Sequence, residues 1–292
     1  MYFNKYAEKT DGAIRGFDVK STRVKIICLF FVAVCILFAI IAMFPAIWVF
    51  LSGFKDLKEL TREATLFPKS FNFSGFKETW DKLNFGLYYK NSFIMVIGSV
   101  ICAIIFNGIL AYGLAILKPK GYQIVNGLVM WSLLIPATTS VVALFVNINR
   151  IGLNKSFIPL WLAYGANAFW VVLFKEFFEG LPPELIEAAR LDGCNVVQVF
   201  YKIVLPLSKP IIMVIVIFAV TAAWSDFLLP YLILNGSGKE TVMVKLYTYS
   251  TSRTTAIDMI RAIFFSLIPP TILFSIFQKQ ITDGAAGGAV KG

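Results

Sequence analysis

The decisive stretch runs Leu181-Pro-Pro-Glu-Leu-Ile-Glu-Ala-Ala-Arg-Leu-Asp-Gly-Cys-Asn-Val-Val-Gln-Val-Phe-Tyr-Lys-Ile-Val-Leu-Pro-Leu207. Pro182 and Pro183 open a helix, because the fixed φ of proline suits a first helical turn. Glu184 and Glu187 follow near its positive end, where carboxylates are favoured. Leu185, Ala188, Ala189 and Leu191 give an apolar stripe of small and medium side chains. Asp192-Gly193 ends the helix, with the glycine at a position that wants a left-handed residue. A second helix is predicted from about Asn195 to Val204, stopped by Pro206. The expectation is a helical elbow lying outside the apolar runs that flank it.

Those runs dominate the chain. Of 292 residues 58% are hydrophobic and only 15% charged, against about 25% charged in soluble domains, and mean hydropathy is +0.75. A spanning helix needs ~20 mostly apolar residues. Six segments meet or approach that length: Ile26–Leu51, Asn91–Leu117, Val125–Ile148, Phe157–Phe178, Pro210–Leu234 and about Ile257–Phe277. The expected class is therefore an all-α integral membrane protein with six transmembrane helices. Its order is an N-terminal tail (1–25), a first span (26–51), a loop carrying a small helix (52–89), a core of five spans (90–278) that contains the elbow at 182–207, and a Gly-rich tail (279–292). Pro269-Pro270 predicts a kink or break in the last span. Asn235-Gly236-Ser237-Gly238 reads as a flexible turn. Tyr88, Tyr89, Trp161, Tyr164 and Trp170, near span ends, read as interfacial belt residues.

Several chemistries fall away. Histidine is absent, and Cys28, Cys35, Cys102 and Cys194 form no Cys-x-x-Cys pair. No metal site, catalytic dyad or other catalytic residue is expected. The formal charge of +10 is spread between apolar runs, which fits loops against anionic headgroups better than a nucleic-acid surface. No Gly-x-x-x-x-Gly-Lys loop is present. The first apolar run is too long for a cleaved leader and carries no cleavage site, so it reads as retained. Six spans put both termini on one side. Arg15, Lys20, Arg23 and Lys25 favour a cytoplasmic side for them, against Lys55 and Lys58 beyond the first span.

The elbow resembles the EAA loop of ABC importer permeases of the carbohydrate-uptake (type I) class. Glu187-Ala188-Ala189, then Gly193 four residues later, then Ile203-Val204-Leu205-Pro206 ten residues further on meet that family's pattern. The resemblance implies a cytoplasmic loop docked on an ATP-hydrolysing subunit, with Glu184, Glu187, Ala188, Ala189, Asp192, Gly193, Ile203, Leu205 and Pro206 in the coupling surface. It also makes both termini cytoplasmic and places the chain in the inner membrane. It implies three kinds of partner beside lipid: a second permease in a heterodimer, two ATPase copies that bind ATP and Mg, and an extracytoplasmic solute-binding protein. This chain itself needs no cofactor.

The tail, ending in Gly287, Gly288, Lys291 and Gly292, is similar to that of the smaller permeases of sugar importers, which implies a reach into the ATPase interface. By the same resemblance Asn235–Gly238 is a candidate contact for the binding protein. Trp224-Ser225-Asp226 resembles a stretch of sugar permeases, so Trp224 and Asp226, with Asn107, are candidates for the solute path. Each has a plainer reading as a helix-packing residue. Two rivals remain. One is the same architecture importing a non-sugar or sugar-phosphate solute. The other is an ion-driven secondary transporter, which needs more buried charge than Asp226 supplies.

Overall fold

A computed structural model describes residues 22–63 and 65–289, with side chains to residue 278 except that of Ala137. Residues 1–21 of the tail, and Lys291 and Gly292, lie outside the described residues. All regular structure among the described residues is helical. The chain divides into two units, residues 1–73 and 74–292.

The first unit holds α1 (Thr22–Gly53) and α2 (Leu57–Arg62). Helix α1 has no polar face, which suits a helix surrounded by lipid. Beyond it the chain closes a small knot. Phe54 is edge-on to Phe50, Phe71 and Phe73, with centroids 5.0–5.3 Å apart. Glu59 accepts from the Thr65 hydroxyl at 3.1 Å and the Lys69 amide at 3.0 Å, and the Lys55 ammonium donates to the Thr65 carbonyl.

The second unit runs α3 (Ser74–Lys82), α4 (Phe85–Tyr112, continuing as a π-helical turn to Leu117), α5 (Tyr122–Ser132), α6 (Ala137–Arg150), α7 (Ile158–Gly165) and α8 (Ala168–Glu179). It goes on through α9 (Pro183–Leu191), α10 (Val196–Val199), a π turn (Phe200–Val204), α11 (Leu205–Leu207), α12 (Lys209–Ser225), α13 (Leu228–Leu234), α14 (Val242–Ser250) and α15 (Ala256–Ala289). The loop expected over 52–89 thus contains two short helices, and the second span begins at Phe85.

Three helical stretches among the described residues are long and apolar enough to cross a membrane: Thr22–Gly53, Phe85–Leu117 and Ala256–Gln278. Two bent pairs raise the number to five, α7 with α8 at 44° and the α10–α11 arm with α12 at 80°. The spans expected at 125–148, 157–178 and 210–234 are each broken. Between α5 and α6 the break falls just before Pro136, which lacks an amide and keeps its predecessor out of the helical region. The other two breaks, at Ala166–Asn167 and Asp226–Phe227, carry no proline.

Helix α4 is the central post, packed by α7, α8 and α12. Its buried face carries small or compact polar residues, including Ser92, Ser99, Ala103, Asn107, Gly108 and Ala111. Lipid tails are as apolar as leucine, so membrane helices associate through close backbone approach rather than hydrophobic burial. At Gly98 the indole of Trp161 on α7 occupies the space a Cβ would need. Gly98→Val is expected to force that ring away at a cost of roughly 1–3 kcal/mol. A lower thermal midpoint of the purified chain, with Gly98→Ala intermediate, checks it.

Candidate functional site

The elbow is specified by local contacts. Pro182 precedes α9 and Pro183 occupies its first turn. The helix closes in a Schellman motif: the Gly193 amide donates to the Arg190 carbonyl and the Cys194 amide to the Ala189 carbonyl, both at 3.0 Å. Gly193 sits at φ +81°, the left-handed region. A capping box starts the next helix at once. The Gln198 amide donates to Asn195 Oδ1, and the Asn195 amide to Gln198 Oε1, both at 2.8 Å.

Pro206 does not stop the second arm, which runs on to Leu207. A proline in a helix leaves the carbonyl four residues back without its donor. The π turn over Phe200–Val204 immediately precedes it, with the Leu205 amide donating to the Phe200 carbonyl; such single wide turns re-route a helical ladder. The chain turns by 80° at Ser208, between Pro206 and Pro210. There the buried Ser208 hydroxyl donates to the Val204 carbonyl at 2.6 Å.

One side of the elbow belongs to the core. Ala189, Val199 and Val204 are buried with Tyr112, Phe174 and Phe178, and Ile186, Cys194 and Ile203 pack against that cluster. The Tyr112 hydroxyl donates to the Val196 carbonyl at 3.1 Å, and the Tyr112 and Phe200 rings lie 5.0 Å apart. The other side is left open. Glu184, Leu185, Glu187, Ala188, Asp192 and Val197 are exposed, and Leu191 is 89% exposed. The two alanines of the sequence motif thus have different duties: Ala189 faces the core and Ala188 faces outward. Leu205 is half-buried and Pro206 exposed. Beside the elbow lies a cleft of about 400 Å³ between the end of α4, the end of α8 and α9, with Lys118, Glu179, Glu187 and Arg190 among its charged walls.

The candidate path residues are placed unevenly. Asn107 is fully buried. Its Nδ2 donates to the Ala103 carbonyl at 2.8 Å and the Tyr164 carbonyl at 3.0 Å, and its Oδ1 accepts from the Asn167 amide at 2.9 Å. It stitches the α7–α8 break, where Asn167 Oδ1 caps α8 by accepting from the Trp170 amide at 3.2 Å. Asp226 sits at the α12–α13 break, half-buried, accepting from the Tyr164 hydroxyl at 3.3 Å. Tyr164 therefore joins Asn107 and Asp226 into one polar thread across two broken helices, rather than lying in an interfacial belt. Trp170, also read as a belt residue, is buried in the core beside it. Sequence patterning missed Tyr164 because its two partners are 57 and 62 residues away.

Trp224 stands apart from that thread. It is 4% exposed, and its Nε1 donates to the Ser266 carbonyl at 3.0 Å. Asn107 and Trp224 have thus spent their polar atoms on the protein.

The Asn235–Gly238 loop is braced, not slack. Asn91 on α4 donates to the carbonyls of Gly238 and Glu240, and Glu240 accepts from the Gly236 amide at 2.8 Å. Gly236 and Gly238 adopt positive φ, and Asn235, Gly236 and Gly238 remain exposed. At the C-terminus the backbone stays helical through Gly287 and Gly288 to Ala289.

Known proteins share this architecture. A solved bacterial ABC transporter involved in import of the acidic polysaccharide alginate superposes with a TM-score of 0.79 at 23% identity, over 89% of this chain and 98% of that one. The diacetylchitobiose uptake permease NgcG of Streptomyces coelicolor is 27% identical over 264 residues, 89% of this chain and 87% of that one. The melibiose/raffinose/stachyose import permease MelC of Bacillus subtilis is 30% identical over 231 residues, 78% of this chain and 84% of that one. The family described as binding-protein-dependent transport system inner membrane components matches residues 94–284, which include the whole elbow. With spans, elbow and sequence agreeing over most of its length, the chain belongs to that family.

Proposed function

We propose that this chain is one permease half of an ATP-driven importer for an oligosaccharide, and that the exposed side of α9 is the surface its ATPase partner grips. The observation that carries the reading is the division of labour in the elbow. Its core side is locked by Ala189, Val199 and Val204, while Leu185, Ala188 and Leu191 stand in solvent beside two carboxylates. Exposed apolar side chains rimmed by charge mark a docking surface. A rigid lever is also what alternating access needs, since a pull on a pre-formed elbow moves the spans it is packed on.

In this reading the chain performs no catalysis. ATP and Mg are bound by two ATPase copies, the second half of the path is a different permease, and the elbow and both termini face the cytoplasm. The named cargoes of the relatives, diacetylchitobiose for one and melibiose, raffinose and stachyose for the other, support an oligosaccharide as solute. Of the candidate path residues we keep Asp226, whose half-buried carboxylate at a helix break suits a hydroxyl-rich solute. The Asn235–Gly238 loop, rigid and exposed, suits the binding protein. Gly287, Gly288, Lys291 and Gly292 are assigned to the ATPase interface.

Two measurements test the reading. A cysteine replacing Leu191 should react with a membrane-impermeant maleimide only from the cytoplasmic side, and labelling from outside overturns the orientation. Glu187→Lys should cut co-purification of the ATPase about tenfold or more, as expected for reversing one charge at a docking surface, while membrane insertion is unchanged. Undiminished co-purification removes the docking role from α9.

A further inference from the structure

Helix α15 passes through Pro269-Pro270 without ending. Those prolines withdraw the amides that would bond the carbonyls four residues back, which are those of Phe265 and Ser266. Both carbonyls are nevertheless satisfied, each by a side chain from another helix. The Tyr89 hydroxyl on α4 donates to the Phe265 carbonyl. The Trp224 indole N–H on α12 donates to the Ser266 carbonyl at 3.0 Å. The two aromatic rings touch edge-on, with centroids 5.6 Å apart. In a setting without water an orphaned carbonyl is costly, and neighbouring side chains are the available remedy.

Beside this double clamp lies an apolar cavity of about 330 Å³, walled by Phe93, Val220, Leu273 and Phe277 as well as by Tyr89, Trp224 and both prolines. The N-terminal end of α15 is fixed differently. Asp258 accepts from the Thr79 hydroxyl at 2.9 Å and the Lys82 ammonium at 2.5 Å, and Arg261 donates to the Gly75 carbonyl at 3.2 Å. One end of the helix is therefore riveted to α3. Its middle lacks two ladder bonds and is held by two side-chain bonds, with that cavity alongside.

We propose that Pro269-Pro270 is the hinge of α15 and that Tyr89 and Trp224 are its positioning residues, latching it in one conformation and releasing it for the segment beyond Pro270 to pivot into the adjoining cavity. A pivot that serves transport rests on the importer reading above; the clamp itself does not.

Two experiments decide these claims separately. The first is a double-mutant cycle on the thermal midpoint of the purified full-length chain. Trp224→Phe keeps the aromatic volume and removes the donor. It should lower the midpoint in the native background and leave it unchanged in Pro270→Ala, where an amide is restored to the Ser266 carbonyl. Tyr89→Phe should behave the same way against Pro269→Ala. Additive losses overturn the clamp. The second uses the reconstituted complex, with the native cysteines replaced and spin labels at cysteines substituted for Ala256 and Ser275. The distance between labels should shift between nucleotide-free and ATP-trapped states. In the Pro269→Ala/Pro270→Ala variant it should hold one value in both states, with uptake lost. A distance insensitive to nucleotide in a transporting native complex overturns the hinge. A native complex that does not transport defeats the importer reading instead, and the cycle on the chain alone still decides the clamp.

Discussion

Gly193→Val is expected to cut uptake about tenfold or more while leaving the chain in the membrane. Gly193 closes α9 at φ +81°, and no atom lies within 4 Å of the place a Cβ would occupy. The penalty is therefore carried by the backbone, not by a clash. A left-handed conformation costs an L-residue roughly 1–2 kcal/mol, and a β-branched side chain is the worst choice there. Each 1.4 kcal/mol shifts a population about tenfold. If valine leaves the left-handed region, the amides of Gly193 and Cys194 lose the Arg190 and Ala189 carbonyls together, and Asn195 no longer meets its capping geometry. The second arm then leaves α9 in a different direction. Uptake into proteoliposomes containing the complete complex should fall about tenfold or more, with ATP hydrolysis no longer stimulated by the binding protein. Gly193→Asn, which tolerates the left-handed region, should retain most activity. Full uptake by the valine variant would show that the elbow's angle does not couple the two processes.

The second large effect is expected at Asn107. Leucine has a similar volume and fits an apolar span, yet Asn107→Leu strands the Tyr164 carbonyl and the Asn167 amide in the protein interior. Leaving a buried polar group unpaired costs about 1–3 kcal/mol, so the pair should cost roughly 2–4 kcal/mol of the folded state. The damage should be local to the α7–α8 break. The Asn167 amide is expected to exchange with deuterium faster, and the thermal midpoint of the detergent-solubilised chain to fall. Solute affinity should change no more than that of other variants of equal stability. A selective loss of solute binding with an unchanged midpoint would return Asn107 to the solute path.

The elbow was legible because each of its signals acts over a few residues. Pro183, Gly193 and Asn195 each answer to their own turn of chain, so the helix, the bend and the second helix could be read in order. Pro206 was misread because the π turn before it changes which carbonyl needs a donor, and π turns leave no pattern in residue type. The same limitation explains Pro269-Pro270. By sequence the pair should interrupt α15, and the interruption is averted by Tyr89 and Trp224, which lie more than 40 residues away along the chain. The breaks at Asn167 and Asp226 were invisible for the converse reason. Nothing in those apolar runs forbids a continuous helix; at the first break the freed backbone groups are claimed by Asn107, and at the second the Asp226 carboxylate meets the Tyr164 hydroxyl, only once the helices are packed.

By itself, then, the sequence determined the solvent of the fold, the approximate spans and the elbow with its turn, because hydropathy, proline, glycine and caps act on the residues next to them. Only the tertiary structure decided the interruptions at Asn167 and Asp226, which alanine of the motif faces the core, and that Trp224 and Asn107 serve the protein. Those outcomes depend on which distant side chain reaches an unpaired backbone group, and spacing along the chain does not carry that information.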